Sequence, residues 1–180
     1  MRGVEAPFQL LVSVFTMVLV VAIAFHVLST VSKERCAQQW DHSFSSLAST
    51  IVRVSMSDYP TVASTELHLK CGGSARHFVE LREESGPLCS RVCGEFSDVC
   101  YVLVHTVKDV KGEVIYSRPI CVRNLSPYLY YLVRQGAGSC PPGYSPLFSY
   151  DLNAELRSTG ILQVYVFREM DSVQVCKKSG

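Results

Sequence analysis

The sequence has no surplus of charge of either sign: 17 Lys and Arg stand against 16 Asp and Glu, a formal net charge of +1. That excludes the electrostatic footprint by which proteins hold phosphate backbones, so no nucleic-acid partner is expected. Charge is also scarce, at 18% of residues, while 48% are hydrophobic. A chain this apolar is not a disordered one, and it holds more apolar residues than a soluble domain of its size needs. No proline falls between Pro7 and Pro60 and no glycine between Gly3 and Gly72, so the usual helix breakers are missing from that stretch. Catalytic punctuation is missing too. There is no G-x-S-x-G, H-E-x-x-H or P-loop, and Gly136-Ala137-Gly138 lacks the third glycine and following helix of a dinucleotide loop. No C-x-x-C pair is found, which argues against a zinc finger and a thioredoxin-like redox pair. No catalytic residue, metal site or cofactor is expected.

What is present begins with residues 8–28, FQLLVSVFTMVLVVAIAFHVL, an apolar run in which the nearest charges are Glu5 and Lys33. At about 1.5 Å per residue it spans the roughly 30 Å hydrocarbon layer as one helix. Pro7 sits where a first helical turn tolerates proline. A cleaved secretory signal is the alternative, but the run is longer than a signal core and no A-x-A-like site follows it. Beyond it, Cys36, Trp40, Phe44, Leu47, Ile51 and Val54 recur at spacings of three and four, one stripe of a helix, with Lys33, Glu34, Gln38, Asp41, Ser45, Ser49 and Arg53 opposite. The pattern predicts one helix over 8–56, membrane-spanning at 8–28 and amphipathic at 29–56, with Trp40, Phe44, Leu47 and Ile51 packing on the head. Two helices broken near Ser29-Thr30 are the alternative.

Asp58-Tyr59-Pro60 ends the helix. The remainder, 57–180, reads as a small antiparallel β-sheet head, with strands at 63–69 and more weakly at 76–82, a hairpin at 99–107 and 113–116 turning at Lys111-Gly112, and a last strand at 161–167. The fold class is α+β. Residues 135–144 read as a loop. Eight cysteines, Cys36, Cys71, Cys89, Cys93, Cys100, Cys121, Cys140 and Cys176, all lie outside the apolar segment. An even number spread through a short head is the usage of an oxidising compartment, so up to four disulfides and a head outside the cytoplasm are expected, with the pairing open.

Among other candidates, His26 reads as a neutral imidazole near the far end of the anchor. Asp41-His42 are neighbours on a helix and do not form a relay. Asn124-Leu125-Ser126 is a formal glycosylation acceptor with Pro127 directly after it. Tyr128, Tyr130, Tyr131, Tyr144, Phe148 and Tyr150 flank the glycine-rich loop and would plug a small core or, alternatively, form a partner-binding face.

The short basic leader Met1-Arg2-Gly3, then Val4-Glu5-Ala6-Pro7-Phe8-Gln9 and a hydrophobic helix running into an amphipathic one with a β-rich head, resembles type IV pilin-like proteins, the archaeal ones above all. The resemblance covers about the first 55 residues in pattern, and the head only in general build. It implies cleavage between Gly3 and Val4 on the cytoplasmic side. It also implies helix-to-helix assembly through Glu5, Phe8, Leu11, Phe15, Val18, Ala22 and Phe25. Glu5 departs from the bacterial pattern, where the glutamate is fifth in the mature chain, and eight cysteines are many for a pilin. The function expected is a non-catalytic structural subunit of a cell-surface filament or related assembly machine, whose partners are membrane lipid and copies of itself or other pilin-like subunits. The alternative is a single-pass anchor carrying an extracytoplasmic binding or adhesion module.

Overall fold

The computed structural model describes residues 5–69, 75–94, 99–148, 152 and 160–178, with side chains described from residue 9. The fold is α+β. Helix α1, Glu5–Ser55, runs without a break at Ser29-Thr30, as the absence of proline and glycine predicts. Its apolar first part buries nothing, whereas Trp40, Phe44, Leu47, Ala48, Ile51 and Val54 are buried. The chain accordingly divides into two compact units, Met1–Gln38 and Gln39–Gly180, so the end of α1 belongs with the head.

The head holds two antiparallel sheets where a single one was expected. One has the order β1-β6-β7-β5, from β1 (Thr61–His68), β5 (Tyr144–Pro146), β6 (Ile161–Arg168) and β7 (Val173–Lys178). The other has the order β2-β3-β4, from β2 (Arg76–Ser85), β3 (Val99–Lys108) and β4 (Val114–Cys121). Both meet α1. Ser43 Oγ accepts from the His68 amide at 3.2 Å and Ser46 Oγ lies 3.1 Å from Thr65 Oγ1, which ties the helix to β1. Trp40 meets rings of β2 and β4 edge-on, and Phe44 stacks on a ring of β3.

β3 explains its own composition. Tyr101, Leu103, His105 and Val107 are buried on one face, and Cys100 and Val102 on the other. A strand buried on both faces reads as a continuous apolar run, which is what 99–107 is. The second face is covered by a helix that sequence reading did not anticipate, α2 (Pro87–Cys93), whose Cys89 and Cys93 pack on Cys100 and Val102. The turn between β3 and β4 forms as expected, with Asp109 Oδ1 accepting from the amides of Lys111 and Glu113.

Two further corrections concern the C-terminal half. Helix α3, Pro127–Gly136, takes in the start of the stretch read as a loop, and its first turn is capped by Ser126, which accepts from the Leu129 amide. Ile161–Arg168 is also not the last strand, because β7 follows it. Gly136 allows α3 to approach β7: a Cβ there would lie 2.3 Å from the Val173 carbonyl oxygen. Gly136→Ala is therefore expected to force helix and strand apart and to lower head stability by about 1–3 kcal/mol. Guanidinium unfolding of the two proteins checks this, and equal midpoints would refute it.

Candidate functional site

Every residue from 9 to 28 is exposed, although the segment is almost wholly apolar. Leu11, Phe15, Val18, Ala22 and Phe25 follow one another at intervals of four, three, four and three, which sets them along one side of α1. The backbone of Glu5 and Phe8 is helical, while their side chains, and Gly3 and Val4 entirely, lie outside the described residues. Burying a Val, Leu or Phe is worth about 1.5–3 kcal/mol, so leaving the large side chains from Leu10 to Leu28 in water would cost more than a domain's entire stability. The few polar groups do not oppose an apolar environment. Ser13 donates to the Leu10 carbonyl at 2.8 Å, Thr16 to that of Val12 at 2.8 Å, and Ser29 and Thr30 both to that of His26. With its hydroxyls and backbone satisfied internally, α1 is long and apolar enough to cross a membrane.

At the other end of α1 lies a polar cluster without a sequence signature. His77 and His105, 2% and 1% exposed, stand diagonally across the β2–β3 ladder, since His77 is opposite Val107 and His105 opposite Val79. His77 Nδ1 and His105 Nε2 are 3.0 Å apart, so one presents an N–H and the other a lone pair. Trp40 meets both imidazoles edge-on, at 5.2 and 5.6 Å, and Phe44 stacks on His105 at 4.1 Å. Burial, and next the neighbouring His77, hold His105 down at about 3, so His105 is neutral at ordinary pH. At the rim of this cluster, Tyr116 donates to Asp41 Oδ1 at 2.7 Å and Arg118 pairs with Asp41 Oδ2. Burial and then the Asp41 carboxylate push the Tyr116 hydroxyl up to about 12. Asp41 thus joins α1 to β4.

The tyrosines separate. Tyr130 stacks on Tyr101 at 4.5 Å and Tyr144 packs on Tyr165 and Phe167. Tyr128 and Tyr131 are exposed on α3, and Tyr150 lies outside the described residues. Asn124 is exposed, in a left-handed conformation before α3.

Cysteine chemistry is disulfide chemistry. Cys89 joins Cys100, Cys93 joins Cys121 and Cys140 joins Cys176, with Cα separations of 5.6, 5.1 and 6.1 Å. Cys36 is disulfide-bonded as well, and Cys71 lies outside the described residues. Among the described residues no three His, Cys, Asp or Glu side chains converge as a metal would require. Comparison with protein-family models, with curated proteins and with solved structures returns no match to this chain.

Proposed function

We propose that this chain is a non-catalytic, pilin-like structural subunit of a cell-surface filament or related assembly machine. The observation that carries the reading is α1 itself: residues 9–28 are apolar and exposed on every side, while the same helix ends buried in a disulfide-linked head. A helix apolar all round is stable in lipid or among similar helices, and small side chains such as Ser13, Thr16, Ala22 and Ala24 permit close approach. Leu11, Phe15, Val18, Ala22 and Phe25 then exchange lipid for neighbouring copies as subunits leave the bilayer. The head lies outside the cytoplasm, where its disulfides form, and the leader is removed between Gly3 and Val4.

Intact mass and N-terminal sequencing of protein from its native cell test the processing, with Val4 expected as the first residue. A photo-crosslinking amino acid at Phe15 tests the assembly. Covalent dimers of this chain in native membranes are expected. A chain beginning beyond Leu28, or a Phe15 probe that captures lipid and no second copy, overturns the reading.

A further inference from the structure

β2 is an edge strand, and two hydrogen bonds establish which of its residues face away from the sheet. The His77 carbonyl accepts from the Leu152 amide at 3.1 Å, away from β3. Tyr101, the register partner of Glu83, turns its carbonyl to the Val122 amide on the β4 side, at 2.9 Å. Antiparallel pairs alternate between exchanging two bonds and exchanging none. His77, Val79, Leu81 and Glu83 therefore all direct N–H and C=O outward. Among the described residues, nothing bonds the outward groups of Leu81 and Glu83.

These groups open onto a groove of about 500 Å³ between β2 and α3. Residues 80 to 83 all border it, which alternating side chains achieve only when the strand presents its backbone edge. Across from them stand Tyr130, Val133, Ala137 and Phe148, with Arg134 beside them.

The far edge of the same sheet is blunted midway. By the same alternation, Pro119 on β4, opposite Val104, occupies an outward position and has no N–H to offer. In the other sheet β5 has three residues, but β1 is open. The Leu69 amide donates to the Gly160 carbonyl, one step beyond the His68–Ile161 pair, so Val62, Ser64, Glu66 and His68 face outward. The His68 amide is taken by Ser43, while the outward main-chain groups of Val62, Ser64 and Glu66 have no partner among the described residues. Val62 is 57% exposed.

We infer that the β2 edge of one head receives the β1 edge of a second copy, with Val62 of that copy set against the apolar side of the groove. Main-chain donors and acceptors repeating at every second residue are matched by another extended backbone, and each sheet of the head has one long edge that no proline interrupts. Because the two edges differ, the contact is head-to-tail, the kind that builds a chain of subunits rather than an isologous pair. This rests on the reading of the chain as an assembling subunit, whose helices bring heads together.

The test is amide hydrogen exchange of the full chain, in native assemblies and as detergent-dispersed monomer. Leu81, Glu83 and Ser64 amides are expected to slow about tenfold or more on assembly. Leu81→Pro removes an outward N–H and leaves the β2–β3 ladder intact, and Val62→Lys alters a side chain exposed in the monomer. Both are expected to weaken assembly at least about tenfold, and Val62→Lys to leave the monomer unfolding midpoint close to that of the parent. Unchanged exchange in assemblies that still crosslink at Phe15 overturns this inference and leaves the subunit reading standing. Loss of the Phe15 crosslink in the parent chain overturns both. Protection at Leu81 and Glu83 without protection at Ser64 means that another polypeptide fills the groove, which also overturns it.

Discussion

Reduction of the disulfides is expected to unfold the head. The bonds Cys89–Cys100, Cys93–Cys121 and Cys140–Cys176 close loops of 11, 28 and 36 residues. Loop-closure entropy gives each about 3–4 kcal/mol, and although two of the loops overlap, the total approaches the roughly 5–15 kcal/mol by which domains are stable at all. The effect falls hardest on β3, because α2, which covers one of its faces, is held by two of these bonds. Trp40 is the single tryptophan and is buried in the head, so its fluorescence reports the transition. Guanidinium titrations in detergent, with and without a thiol reductant, should differ by several molar in midpoint or show no folded baseline once reduced. Coincident curves, with free thiols verified, would sink the prediction.

Acid is expected to act nearly as strongly, through the imidazole pair. His105 is held at about 3 in the folded head against 6.5 when free, so the folded state keeps it neutral while the unfolded chain takes up a proton. Stability is then constant above about pH 6.5 and falls progressively as pH drops towards 3, where the loss reaches about 4–5 kcal/mol at most. Among the described residues, the groups in contact with His105 do little to relieve this. His77 from β2 is itself basic, Arg118 from β4 is paired with Asp41 from α1, and Tyr116, Trp40 and Phe44 are uncharged. His105→Gln should lower stability at neutral pH and flatten its decline between pH 6 and 4. A decline equally steep in that variant would mean that carboxylates elsewhere carry the acid sensitivity.

The parts of the fold legible in the sequence are those whose environment repeats along the chain. The second half of α1 faces one core for several turns, so Trp40, Phe44, Leu47 and Ile51 recur at helical spacing and are all buried. β1 has a wet side and a dry side, so Val62, Ser64 and Glu66 alternate with Ala63, Thr65 and Leu67. α2 is too short for a periodic stripe, and its two cysteines read equally well as a loop staple. α3 carries its own signals, Ser126 as cap and Pro127 in the first turn, but its tyrosines suit strands equally well and glycines follow it closely. The histidine pair had no local signal, because 28 residues separate its members and only the register of β2 on β3 brings them within 3.0 Å.

The pinning of α2 also bears on how the head withstands peptidases. Arg91 is exposed on that helix, between Cys89 and Cys93, and is an accessible target for an enzyme that cuts after basic residues. A cut there frees nothing. The upstream fragment carries Cys89, which remains covalently joined to Cys100 in the downstream one, and Cys93 stays bound to Cys121. A nicked subunit would therefore hold together as one body for as long as its surroundings remain oxidising.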